Sequence, residues 1–225
     1  MIGRVLLAAL LAGIAAGLIM GIIQHVRLTP LILEAETYET AGQAHDAAAA
    51  EDEGWKPAGG WQRTLATTAT AAMTGAAFAL LLAGISLVAG LPITRRNGVV
   101  WGLCGFLAVT LAPAMGLPPE LPGMPAGDLV TRQIWWLGTI AATGIGLYLI
   151  ATRREIWALA AAIVIIALPH LVGAPQPVSH QTAVPAQLAA TFVANSIAAA
   201  AVFWSLTGTF LGLVINRFAP DAQNS

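Results

Sequence analysis

Uncharged stretches of about twenty residues recur along this chain of 225 residues, and they restrict it to folds that span a membrane. Only 9% of the residues are charged, whereas a soluble globular domain carries about 25%. Such stretches can cross a hydrocarbon core about 30 Å thick as α-helices, although the fifth is short. The sequence therefore predicts an all-α fold, a polytopic membrane helix bundle of about six transmembrane helices (five to six), in a single integral membrane domain over residues 1–225. The predicted spans are Ile2–Ile23, Leu65–Leu91, Asn97–Met115, Gln133–Ala151, Ile156–Leu171 and Gln187–Ile215.

The few charges exclude two classes of ligand. Lys56 is the single lysine, and the proline that follows it rules out the Gly-Lys-Ser/Thr signature of a phosphate-binding ATPase loop. The net charge of -1 leaves no basic patch that could hold a nucleic acid. We therefore expect no ATP bound by this chain and no nucleic-acid partner, and we expect its surroundings to be a lipid membrane.

The arginines predict which side of the membrane each loop faces. With six spans, two Thr-Arg-Arg turns and the arginines near both termini all fall on one side, which the positive-inside rule makes cytoplasmic, termini included. All four histidines and nine of the eleven acidic residues then fall on the outer side, most of the acids in a predicted extracytoplasmic loop over residues 26–63. The outer face is therefore expected to collect cations. The arginines on the inner side are Arg4, Arg95, Arg96, Arg153, Arg154 and Arg217.

Small residues at four-residue spacing recur in three of the spans. They form "GIAAGLIMG" from Gly13, "GVVWG" from Gly98 and "GTFLG" from Gly208. Such spacing lets helix backbones approach closely in lipid, where helices gain nothing from hydrophobic association. The pattern fits tight packing within this chain and also contact with a partner helix, and the sequence leaves both open.

Two segments of the chain resemble each other and predict a duplicated helical hairpin. "ITRRNGVVWG" leads on to "LAPAMGLPPELPG", and "IATRREIWAL" leads on to "ALPHLVGAPQP". Each has a Thr-Arg-Arg turn, then an apolar span, then a proline before a glycine and further prolines. The predicted hairpins cover residues 64–117 and 132–177 and would be related by an axis along the membrane normal. In this alignment Pro113 corresponds to Pro169, and Ala114 stands where His170 stands.

Four residues on the predicted outer face are candidate metal ligands. Divalent metal ions accept imidazole and carboxylate groups. The first candidate follows Pro169, and a proline near a helix end removes a backbone donor and can free carbonyl groups to line a cavity. The alternative for each histidine is a structural role, as a boundary residue or a helix-end cap, and His45 is expected to be simply solvated. The predicted ligands are His170, His25, Glu120 and His180, with His25 facing His170 across an outer mouth.

The spans themselves carry few polar groups. Asn195 and Ser196 lie inside the last span and are expected either to hydrogen-bond between helices or to line a pore. No aspartate or glutamate lies deep within a span, which disfavours a proton-coupled pump. A divalent cation entering down the membrane potential gains about 4.6 kcal/mol per 100 mV, so uptake would need neither ATP nor a buried carboxylate.

Several of these motifs resemble one known family. "LAPAMGLPPELPG", "RQIWW" and "LPHLVGAPQP", with the "QH" that closes the first span, resemble the proposed cobalt-transporter subunit family of the CbtA type, nearly over the whole chain. The resemblance implies a protein of the bacterial inner (cytoplasmic) membrane that is linked to cobalamin biosynthesis. It also implies a small single-span partner with a His-rich tail. The family is usually described with five spans, and "AHDAAAAEDEGWKPAGG" looks like an insert outside its shared pattern.

We therefore expect an integral membrane subunit of a divalent-cobalt uptake system, with cobalt as the transported ion and no tightly bound cofactor. One alternative is a non-transporting membrane scaffold that anchors other proteins. Another is a membrane enzyme with His170 or His180 as base, but no nucleophile and acid accompany these histidines in the sequence as a catalytic triad would require. The expectation is therefore that the chain is not an enzyme.

Overall fold

The computed structural model describes residues 2–43 and 60–218, and within these ranges the chain is all-helical, as the sequence predicts. The regular elements are α-helices, interrupted twice by a π-helical turn that widens the helix without ending it. In chain order they are α1 (Ile2–Ile23), π1 (Gln24–Leu28), α2 (Thr29–Gln43), α3 (Trp61–Ala89), α4 (Gly98–Gly105), π2 (Phe106–Leu111), α5 (Ala112–Ala114), α6 (Leu129–Thr152), α7 (Ile156–Val172) and α8 (Ala186–Phe218).

Each predicted span corresponds to a helix of the structure. Apart from the first helix, which continues beyond Ile23, the largest differences are at two starts, since α3 begins at Trp61 rather than Leu65 and α6 begins at Leu129 rather than Gln133. Two helices, Gly98–Ala114 and Ile156–Val172, have 17 residues and are about 25 Å long, slightly less than the hydrocarbon thickness. Within the described residues there are thus four long and two shorter apolar helices, in agreement with the predicted five to six transmembrane helices. Among the described residues, four helices are long and apolar enough to cross a membrane, namely Ile2–Tyr38, Trp61–Ala89, Leu129–Thr152 and Ala186–Phe218.

Large apolar side chains cover the outside of these helices. Val88, Ile134 and Leu171 are among the many aliphatic residues that stay exposed along them. Exposed apolar surface on this scale marks contact with lipid or with another protein. Together with the helix lengths, it supports the predicted membrane fold.

Both π-helical turns end two residues before a proline at which the helix continues. π1 precedes Pro30, and π2 precedes Pro113. A proline ring clashes with the carbonyl group four residues earlier and cannot donate to it, and a wider turn relieves that clash. The first helix therefore continues through residues 26–43, a part of the chain predicted as an outer loop. At about 55 Å, Ile2–Tyr38 is longer than the hydrocarbon core is thick, so part of it must tilt or extend beyond the core.

The chain forms two compact units. Unit 1 comprises Met1–Pro30, Asp46–Gly105 and Ala198–Ser225, and unit 2 comprises Leu31–His45 and Phe106–Ile197. Within unit 1, glycines let helix backbones touch. A Cβ atom on Gly13 would overlap the carbonyl oxygen of Gly75, and one on Gly208 would overlap that of Gly98. The small-residue motifs therefore pack α1 on α3 and α4 on α8 within this chain.

Unit 2 is organised around the antiparallel pair α6 and α7. Gly146 of α6 packs on Ile166 and on the carbonyl oxygen of Ala162 in α7, 3.1 Å from where a Cβ atom would stand. A short connection at residues 153–155 joins the two helices. In the other predicted hairpin, α3 ends at Ala89 and the Thr-Arg-Arg sequence follows in a longer connection before α4. The duplication stays a prediction.

The contact of α1 with α3 predicts opposite effects of alanine at two glycines. Gly13→Ala forces a methyl group into the backbone of α3, so we expect it to lower the stability of the folded chain by about 1–3 kcal/mol. Gly84→Ala in α3 is the matched control, because no atom lies within 4 Å of its added Cβ and alanine favours the helix. Unfolding in mixed micelles, followed by tryptophan fluorescence, measures both. Equal stability of the two variants would contradict the contact.

Candidate functional site

The proline-rich end of unit 2 contains three of the four predicted ligands. We define it as residues 116–132 and 169–185, that is, the loops before α6 and after α7 with the adjoining helix ends. The two loops contact each other, since the Thr182 hydroxyl donates a hydrogen bond to the carbonyl oxygen of Gly123 at 2.9 Å. This end of unit 2 lies at the opposite end of α6 and α7 from Arg153 and Arg154.

His170 lies half-buried in the last turn of α7, against Trp135 of α6. The two rings meet in a T-shaped arrangement, with centroids 5.8 Å apart. The Trp135 indole N–H donates a hydrogen bond to the carbonyl oxygen of Pro169 at 3.0 Å. Because one tryptophan holds both the ring of His170 and the backbone before it, the orientation of this histidine is fixed by its neighbours.

Glu120 lies in the loop before α6 and forms an ion pair with Arg132. The Arg132 guanidinium donates to Glu120 Oε2 at 2.7 Å, and the side chains are 22% and 26% exposed respectively. A cation that binds this carboxylate must therefore compete with a partly buried arginine. Residue Arg132 was not assigned any role by the sequence analysis, although its charge near the start of a span was visible there.

His180 lies in the exposed loop after α7. It is solvent-accessible, and its neighbour Ser179 accepts a hydrogen bond from the Gln181 backbone N–H at 3.2 Å. The loop thus has local order, but His180 stands at its surface rather than in the contact between Trp135 and His170.

The fourth predicted ligand, His25, belongs to unit 1 and lies in π1. Its ring is exposed, and Nδ1 is 3.3 Å from the Thr64 hydroxyl of α3. That hydroxyl also lies 3.2 Å from the carbonyl oxygen of Gly60. When the single hydroxyl proton is donated to Gly60, Nδ1 of His25 must be the donor to Thr64. The lone pair of the neutral ring is then on Nε2, the atom that a metal ion would bind.

Within the described ranges, no three side chains of histidine, cysteine, aspartate or glutamate lie close enough together to hold a metal ion. The structure brings Trp135 and His170 into contact and pairs Glu120 with Arg132. His45 and much of the acidic segment, including Asp46 and Glu51, lie outside the described residues.

Asp128, another acidic residue of this end, serves as the N-cap of α6. Its Oδ1 accepts hydrogen bonds from the hydroxyl group and the backbone N–H of Thr131, at 2.5 Å and 2.9 Å. The hydroxyl bond first, and then the backbone bond, lowers the pKa of Asp128 below its usual value. The carboxylate therefore stays charged down to acidic pH, but its lone pairs are used to begin the helix.

A buried row of polar groups runs along α6 from this end into the helix. Trp135, Thr139 and Thr143 follow at four-residue spacing and so share one face. The Thr139 hydroxyl donates to the carbonyl oxygen of Trp135 at 2.9 Å, whereas Oγ1 of Thr143, a residue only 3% exposed, has no hydrogen-bond partner among the described residues. Ser196 Oγ of α8 is also buried without one. Buried hydroxyl groups without a partner are costly and mark a place where a water or an ion can bind.

Ser196 was predicted as a polar position of the last span, whereas the two threonines were not predicted. The signal was present as polar residues at positions 135, 139 and 143 of one apolar span, because four-residue spacing puts them on the same helix face. A search limited to charged residues and histidines does not detect it.

A family model described as "Probable cobalt transporter subunit (CbtA)" matches residues 2–216, nearly the whole chain. No curated protein and no solved structure matches it.

The two threonines of α6 predict a difference in stability. Thr143→Val removes a hydroxyl group that has no protein partner, whereas Thr139→Val removes one that is hydrogen-bonded. We expect the first variant to be more stable than the second by about 1 kcal/mol, the net contribution of one hydrogen bond. SDS-induced unfolding in micelles, without added metal, measures both variants. If Thr143→Val were the less stable of the two, its hydroxyl group would have a partner after all.

Proposed function

The chain belongs to the family of probable cobalt transporter subunits (CbtA), and from this membership we propose that it admits divalent cobalt across the inner membrane for cobalamin biosynthesis. The observation that carries the proposal is the family match over residues 2–216. The all-helical chain with its long apolar helices supports it, because these are the elements that a transport subunit needs in a membrane. Cobalt is the cargo here and not a resident cofactor.

We propose that the ion enters at the proline-rich end of unit 2, with His170 as its first protein ligand. His170 is half-buried and fixed by Trp135, and a fixed imidazole binds a metal ion without first having to be ordered. His180, in the exposed loop, would meet the ion earlier and hold it more loosely. His25, exposed in unit 1, stays a separate candidate ligand.

Glu120 would add a carboxylate at the same end. Its pairing with Arg132 keeps the partly buried carboxylate neutralised before the ion arrives. A divalent ion brings twice the charge of the guanidinium and can replace it, whereas a monovalent ion with no preference for oxygen and imidazole ligands gains less. Further inward, the unpartnered hydroxyl group of Thr143 offers oxygen to the ion or to its water shell.

We propose that the membrane potential drives the uptake. Neither a phosphate-binding loop nor a carboxylate deep in a span is available for coupling to ATP or to protons. A divalent cation gains about 4.6 kcal/mol per 100 mV on entering the negative interior, which corresponds to roughly a thousandfold accumulation or more. Uptake into the cell through this entrance requires that the proline-rich end lie outside and that both termini lie in the cytoplasm. This is the orientation that the arginines favour.

A small single-span partner with a His-rich tail is part of the proposal. Such a tail would concentrate cobalt near the mouth, since neutral imidazoles bind the ion reversibly. It would act before His170 in the sequence of events, so its loss should raise the cobalt concentration needed for uptake and leave the maximal rate unchanged. Co-purification of the two chains tests the association.

Radiolabelled cobalt uptake by proteoliposomes, with an interior-negative potential, tests the entry site. We expect His170→Ala to slow uptake about tenfold or more at low cobalt concentration, the range seen when a metal site loses a supporting group. His45→Ala is the matched control, because that histidine is expected to be solvated. Undiminished uptake by His170→Ala would remove this site from the proposal, whereas no uptake by the unaltered chain would remove transport itself.

Single cysteines test the orientation. In a Cys104→Ser background, we expect His180→Cys to react with a membrane-impermeant thiol reagent added to intact cells. Arg153→Cys should react only after the cells are opened, because the Arg153 turn lies at the other end of α7. Reaction of both cysteines from the same side would contradict the proposed entrance.

A non-transporting scaffold is the second candidate. It is favoured by the lack, within the described residues, of three potential metal-binding side chains in one place. A scaffold would show no metal flux in liposomes but would still retain its partner during purification. Flux by the purified chain, alone or with the small partner, therefore decides between the two functions.

A further inference from the structure

A cavity of about 240 Å³ lies within unit 1, where α1 begins and α3 and α8 end. Its wall is mainly apolar and comes from these three helices and from the segment that follows α3. The residues that form most of this wall are Val5, Ala83, Leu87, Ile93 and Ile215. Nothing in the proposed transport of a cation uses this end of unit 1.

The lining of the cavity indicates an apolar occupant. Its one polar side chain, Ser86, already donates a hydrogen bond to the carbonyl oxygen of Leu91 at 2.7 Å, so no hydroxyl group points free into the space. The volume is slightly below the roughly 300–1,000 Å³ of pockets that enclose a drug-sized ligand. An apolar void loses dispersion contacts when nothing fills it. A length of hydrocarbon chain fits both the size and the chemistry.

Four arginines lie close in sequence to residues that line this cavity. Arg4 precedes the lining residue Val5, Arg95 and Arg96 follow Ile93 closely, and Arg217 lies two residues after Ile215. All four side chains are exposed. A long arginine side chain can therefore place its guanidinium group at the rim while its stem covers apolar surface.

The described part of unit 1 offers these arginines no internal counter-ion. Residues 2–30, 60–105 and 198–218 contain no aspartate and no glutamate. The residues next to the cavity lining along the chain thus carry four positive charges and no negative one. Guanidinium groups bind phosphate with paired, charge-assisted hydrogen bonds.

We propose that this end of unit 1 binds an anionic phospholipid, with part of an acyl chain in the cavity and the headgroup phosphate on the arginines. Neither the cavity nor the arginines alone would require an anionic phospholipid, since an apolar cavity would accept any lipid and surface arginines would accept any anion. Their combination selects a lipid that is both hydrocarbon and negatively charged. Such a lipid would hold the ends of α1, α3 and α8 together, and it would do so whether or not the chain transports cobalt.

Native mass spectrometry of the detergent-purified full chain tests the site, with phosphatidylglycerol and phosphatidylcholine of identical acyl chains as probes. We expect phosphatidylglycerol to bind more tightly. The double variant Arg95→Gln/Arg96→Gln should weaken its binding about 30-fold, since each basic residue near the surface contributes about 1 kcal/mol. Arg153→Gln/Arg154→Gln is the matched control, because it removes the same pair from a turn of unit 2 that does not line the cavity.

Three results would overturn the proposal. Equal binding of the two lipids by the unaltered chain would leave no headgroup recognition, and equal weakening by both arginine pairs would leave no site. Tight binding of glycerol phosphate, which has no acyl chain, would mean an anion site and not a lipid site.

Ala83→Leu, which fills the cavity, should reduce lipid binding while the arginines remain. If this variant does not fold, the arginine pairs still decide the question.

Discussion

Hydrocarbon offers no water to a backbone N–H or C=O group, so a chain in lipid must pair these groups within itself. The described chain does this with helices, and its prolines are the places where the pairing is strained. Pro30 and Pro113 follow π-helical turns, and the carbonyl oxygen of Pro169 accepts a hydrogen bond from Trp135. The candidate ligand His170 directly follows Pro169, and His25 lies in the π-helical turn before Pro30. Two of the three prolines thus lie within a few residues of a histidine that is a candidate metal ligand.

The association of the helices follows from the same constraint. Because lipid is as apolar as leucine, helices in it are held by close packing rather than by hydrophobic burial. In unit 1 the backbones of α1 and α3 meet at Gly13 and Gly75, which leaves no room for side chains between them. Larger side chains such as Trp204, packed on Phe78 with ring centroids 4.8 Å apart, fill the core beside these contacts. Tight contacts of this kind give the polar residues fixed positions.

The helices could be predicted from the sequence because each depends on a local property, the length of an uncharged run. The glycine contacts could be predicted as contacts but not assigned to partners, since spacing defines a helix face and not what lies against it. Two features depend on the three-dimensional arrangement and were not predicted. The ion pair of Glu120 with Arg132 joins two residues that are brought together by the conformation of the loop between them. The continuation of the first helix through Thr29 depends on a widened turn before Pro30, whereas a proline by itself is a signal that a helix ends or kinks.

The pair of Glu120 and Arg132 bears on how a cation could enter without leaving a charge unpaired. Breaking a partly buried ion pair is costly when it strands one partner. On the proposed route, the arriving ion takes the place of the guanidinium on Glu120, and Arg132, partly exposed, turns to water. The carboxylate is then neutralised before and after the exchange, so the barrier to entry stays low. The same exchange favours a doubly charged ion, because the ion must compete with arginine for the carboxylate and its charge decides that competition.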